Sequence, residues 1–136
     1  MTTQTGVRRP RISLFCFRAV AALTALFAIG QPIFIGSYFA GTFEALGLHS
    51  AGAVFLQGLS LLILAASVAV VVMRGRWWFL TGSVALFLLI HTQATLGYVR
   101  ALQWHVPIGV VTVAVAVGLA IASFRRGAGS PREGRR

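Results

Sequence analysis

The sequence predicts an all-α integral membrane protein: a four-helix bundle running up-down-up-down, with both ends of the chain on one side. Three observations carry that expectation: apolar composition, four long apolar runs with short connections, and the placement of the arginines. Of 136 residues, 57% are hydrophobic and 10% charged, and the mean hydropathy is +0.85, above what water-soluble domains of this length reach. A helical span needs about 20 apolar residues, so four spans take up about 80–90 of them and leave short loops and tails.

Taken in order, residues 1–12 are polar and basic, contain Pro10, and read as a disordered cytoplasmic tail. The first span covers about 15–39. A basic leader before an apolar run also resembles a signal peptide, with Ala28-Ile29-Gly30 imitating a cleavage site, but the run continues through Ile35 to Phe39 and suits spanning. Pro32 is expected to kink it. Residues 41–48 form an outer connection, and the second span runs over 49–73. Arg74-Gly75-Arg76 makes a cytoplasmic turn. The third span, 77–99, begins with the interfacial pair Trp77 and Trp78, and the fourth, 104–124, carries Pro107 in its expected first turn. Residues 126–136 read as a second basic tail.

The net charge of +10 comes from twelve arginines and no lysine against Glu44 and Glu133. Such basicity can mark nucleic-acid binding, yet no polar basic segment is interleaved with stacking aromatics, so no nucleic-acid partner is expected. Alternation of four spans instead puts eleven arginines on one side and Arg100 alone on the other. That bias predicts a multi-pass protein of the plasma membrane with both termini cytoplasmic. Arginine-only basicity with abundant Ala, Val and Gly is also associated with GC-rich bacterial genomes. Cys16 is the only cysteine, so no disulfide forms within the chain.

Polar side chains in hydrocarbon are costly and become functional candidates. His49 and His105 open the second and fourth spans at the same depth, near the outer face. In an up-down bundle those helices lie on a diagonal, so two neutral imidazoles can converge on the axis and suit the axial positions of a flat haem iron. Each histidine alone reads more readily as a capping or water-binding residue, and the matched pair suits that reading and the haem reading equally. His91 lies nine residues before Arg100, about 13 Å deeper at 1.5 Å per residue. It reads as a hydrogen-bonded interior residue, a group behind the ligands, or an alternative metal ligand.

A faint repeat relates Gln31 through Gly36 to His49-x-x-Gly52 with Gln93 through Gly97 to His105-x-x-x-Gly109. Glycine at Gly36 and Gly97 would let a macrocycle or a helix approach closely, and simple helix packing explains any one of them as well. Arg100, near His105 and Gln103, can pair with haem propionates or snorkel to lipid phosphate. Glu44 can balance Arg100, hydrogen-bond a histidine, or stand free in its loop.

At Gln93-Ala94-Thr95-Leu96-Gly97-Tyr98-Val99-Arg100 and Trp104-His105-Val106-Pro107-Ile108-Gly109, the chain resembles one four-helix half of the haem A synthase family. Ile35-Gly36 and Leu46-Gly47-Leu48-His49 resemble the other hairpin of that half. The likeness covers about 30–115 and is best over 93–109. It implies that His49 and His105 are paired axial ligands of one haem near the outer face. The family carries two such halves, and its outer-loop glutamate stands about one helical turn before the first histidine, whereas Glu44 precedes His49 by five residues. These departures bear on oxygenation chemistry and leave plain haem binding. In layout the chain resembles small uncharacterised actinobacterial four-helix membrane proteins more closely.

The leading expectation is therefore a protein that binds haem b for electron transfer or haem handling. The competing one is a structural or accessory protein that packs against larger membrane partners, or against another copy of itself, through Gly- and Ala-rich faces. A transporter would want carboxylates within its spans, and none is there. No catalytic residue is assigned, because no nucleophile has a convergent base.

Overall fold

The computed structural model describes residues 11–130, with side chains from residue 12 onward. Arg8, Arg9, Arg11, Arg132, Arg135 and Arg136 of the expected tails therefore have no described side chains. Four helices account for the described chain: α1 (Arg11–Phe39), α2 (Ala45–Val72), α3 (Trp78–Tyr98) and α4 (Leu102–Phe124). All four are long and apolar enough to cross a membrane. Helix is forced on such sequences in lipid, where every backbone N–H and C=O must find its partner within the segment.

The helix backbones approach one another in a ring, α1 beside α2 and α4, α3 beside α2 and α4, and only side chains meet across the diagonals. Together with the short connections, this makes an antiparallel bundle. One end carries both termini and the α2–α3 turn, and the opposite end carries the α1–α2 and α3–α4 connections.

Buried positions explain the packing. On α1 Leu14, Phe17, Ala21, Thr24, Ala28 and Gln31 form one buried seam, with Ala25 buried beside it, and on α3 Phe79, Ser83, Leu86 and Ile90 form another, both seams alternating steps of three and four as facing seams do. At the terminal end the axis is filled from the α1 and α3 corners, where Phe17 meets Phe79 edge to face with ring centres 4.8 Å apart. Towards the opposite end this filling stops: α3 buries no residue beyond Ile90, and α4 none before Thr112. Leu61, Leu88, Val110 and Ile121 are among the large side chains that face outward to lipid.

Hydroxyls in the bundle stay on their own helices. Thr24, Ser60, Ser67, Ser83, Thr112 and Ser123 all donate to carbonyls three or four residues earlier. Among the described residues only three side-chain hydrogen bonds join one helix to another. Two belong to the histidine pair. The third is Arg18 Nε, which donates to the Ser123 carbonyl at 2.8 Å, with the guanidinium 5.2 Å from the Phe124 ring centre. It satisfies a carbonyl at the negative end of α4.

Several local features differ from the sequence reading. α2 starts at Ala45, so most of the expected 41–48 connection is a turn and helix, and His49 stands in the second turn of α2. α4 starts at Leu102, which puts Pro107 in its second turn, where its missing N–H removes the bond to the Gln103 carbonyl. The expected tail from 126 begins instead with turns: Ala128 donates to the Arg125 carbonyl at 3.1 Å and is buried.

The seam at the terminal end should dominate stability. Phe17→Ala is expected to lower stability by about 3 kcal/mol, whereas Leu61→Ala, on the lipid face, should change it by less than about 0.5 kcal/mol. Thermal unfolding in detergent, followed by circular dichroism, checks both.

Candidate functional site

At the end opposite the termini, the axis is approached from the other two corners. His49 of α2 and His105 of α4 bring their rings to 6.2 Å between centres, with planes inclined at 68°. Both side chains are half-buried.

What holds each ring is a backbone carbonyl of the preceding helix. His49 Nδ1 lies 3.2 Å from the Gln31 carbonyl oxygen, and His105 Nδ1 lies 2.9 Å from that of Gln93. A carbonyl oxygen can only accept, so Nδ1 carries the hydrogen in both rings. A neutral imidazole with Nδ1–H keeps its lone pair on Nε2. The pair therefore presents two basic ring nitrogens at one level of the bundle.

The same two glutamines contribute their side chains. The Gln31 amide packs against Gly52, where an added Cβ would overlap its Nε2, and at Gly109 an added Cβ would stand 2.6 Å from Gln93 Nε2. Gln31 Nε2 and Gln93 Oε1 are buried without a hydrogen-bond partner. The faint repeat in the sequence thus corresponds to one arrangement made twice: a glutamine whose carbonyl holds a histidine, and whose amide lies on a glycine about one turn further along that histidine's helix.

The likeness between the halves stops at the outer glycines. At Gly97 an added Cβ would stand 2.9 Å from His105 Cε1, so the absence of a side chain there is what lets the ring lie against α3. Gly36 is exposed, and a Cβ on it would meet open space. Close approach thus requires glycine at Gly97 and not at Gly36.

His91 does not join the pair. Its Nδ1 lies 3.0 Å from the Phe87 carbonyl of its own helix, and its ring leans on Phe87 with centres 4.1 Å apart. Among the described residues no three His, Cys, Asp or Glu side chains gather to hold a metal ion. Arg100 and Glu44 are both exposed, and neither makes an ion pair within the described chain. Among the described residues no hydrogen bond joins Glu44 to a histidine, whose bonded ring nitrogens all face backbone carbonyls.

No family model matches this chain, and no curated protein or solved structure matches it.

The tautomers give a direct check. Nitrogen-15 NMR of the imidazoles in detergent should report Nδ1–H for both His49 and His105. Gly97→Val should abolish that state for His105 by pushing its ring from α3, and leave His49 as it was.

Proposed function

We propose that this protein binds one b-type haem between His49 and His105, near the outer face of the membrane, and serves electron transfer or haem handling there. The observation that carries this reading is the 6.2 Å spacing of two rings whose Nδ1 atoms are both committed to carbonyls. An iron–nitrogen bond of about 2.0 Å on each side, with each nitrogen about 1.1 Å from its ring centre, sets two axial imidazoles about 6 Å apart. Haem also fits the ligand count. Two imidazoles leave a bare divalent ion short of ligands, whereas a porphyrin supplies the other four itself.

Non-covalent haem is implied because Cys16 is the only cysteine, and a c-type attachment needs two beside a histidine. When bound, the group supplies one-electron iron chemistry. The protein's own part is orientation: the Gln31 and Gln93 carbonyls fix the rotation of each ring and leave its Nε2 lone pair free for a metal. The resemblance of 93–109 to one half of the haem A synthase family supports the same reading. For orientation, the concentration of arginines at the terminal end supports a cytoplasmic location for both termini, with the histidine pair on the outward side.

Absorption spectra of the detergent-purified protein, oxidised and reduced with dithionite, test the proposal. Expected are a Soret band and a sharpened α band on reduction, at one haem per chain. His49→Ala and His105→Ala should each lose haem at least about tenfold faster, while His91→Ala keeps it. Purified protein with no Soret band and no uptake on reconstitution would leave a structural or accessory membrane protein, with assembly unaffected by either alanine.

A further inference from the structure

Arg100 occupies a backbone position that suits glycine. The α3–α4 turn closes with Ala101 N–H donating to the Leu96 carbonyl at 2.9 Å and Arg100 N–H to that of Gly97 at 3.1 Å, the paired bonds of a helix end whose next residue is left-handed. Arg100 is that residue, with φ +57°. A side chain there is strained by about 1 kcal/mol relative to glycine. The α2–α3 turn at the terminal end has the same construction, with Arg74 at φ +63°, Gly75 N–H bonded to the Val70 carbonyl at 2.8 Å and Arg74 N–H to that of Val71 at 3.0 Å. At the terminal end arginine belongs to a large basic group. At the other end Arg100 is the only cation among the described residues.

The direction of the histidine axis decides which way a flat ligand faces. The rings approach from α2 and α4, so the plane of a macrocycle held between them lies along the α1–α3 diagonal, with one edge towards each of those helices. The α3 edge would face the helix that ends just before Arg100, whose side chain is exposed. The α1 edge meets the connection that carries Glu44, an exposed carboxylate that repels acid groups. Resting on the haem reading above, we infer that Arg100 anchors the carboxylates of the macrocycle, so that its acid-bearing edge lies on the α3 side of the site mouth and its apolar edge points elsewhere. A guanidinium binds such groups through two parallel N–H bonds, which no neutral residue at this position reproduces.

The test compares haem with haem dimethyl ester, whose carboxylates are blocked, by timing transfer of each from the protein to excess apomyoglobin. The wild-type protein should release the ester about tenfold faster than the free acid. Arg100→Gly, which relieves the backbone and should melt no lower than the wild type, is expected to release both at the same fast rate. Arg74→Gly serves as the control for the shared turn and should preserve the tenfold difference, and Glu44→Gln should slow release of the free acid slightly. A tenfold slower release of the free acid than of the ester in Arg100→Gly, equal to that of the wild type, overturns the inference while leaving axial ligation intact. Failure of the wild-type protein to take up either compound removes the haem reading and this inference together.

Discussion

Two imidazole-to-carbonyl hydrogen bonds between adjacent helices determine what this bundle can do. In a membrane such bonds contribute about 0.6–2 kcal/mol each, too little to hold four spans together. They are enough to fix the rotation of a ring about its side-chain bonds. His49 is tied to α1 and His105 to α3, so each histidine takes its orientation from the other helix of its own hairpin, and the bundle only has to bring the two hairpins face to face.

The bundle does this by dividing its axis between two pairs of corners. Phe17 and Phe79 close the terminal end from α1 and α3, with an apolar seam continuing inward from them. His49 and His105 enter the other end from α2 and α4. The packed end brings the rigidity, since close-packed apolar seams have few alternative arrangements. The histidine end depends on glycine for close approach, because Gly52, Gly97 and Gly109 all face side chains that a Cβ would displace. Glycine has a cost in a helix of about 1 kcal/mol, which fits positions where a glutamine or an imidazole must come up against the backbone.

Much of this was legible in the residues. Apolar runs with arginine-rich breaks announce four helices because continuous runs of this length satisfy every backbone group within the segment only as helix, and short connections make successive helices neighbours. The meeting of His49 with His105 followed from their places near the starts of alternate helices. What the residues do not announce is the carbonyl half of each bond: every residue has a carbonyl, and only the helix positions reveal that those of Gln31 and Gln93 are in reach. The two glutamines stood out only as members of a faint repeat; their amides pack on glycine while their backbones hold the histidines. Arg18 reads as one more basic flank, yet its Nε reaches the end of α4. The start of α2 at Ala45 was hidden by Gly-Thr-Phe-Glu, which reads as loop; with no side-chain cap at Glu44, no local signal marks the boundary.

Haem binding as proposed requires two imidazoles to share one iron while their planes stay crosswise, at 68°. Electron paramagnetic resonance of the ferric protein, frozen in detergent with one equivalent of haem, measures that arrangement directly. Crossed axial planes should give a low-spin spectrum dominated by a single feature at unusually large g. The axial signal of high-spin iron would mean that the two histidines do not share the metal, and the three-line rhombic pattern of parallel planes would mean that the carbonyls of Gln31 and Gln93 do not set their rotation.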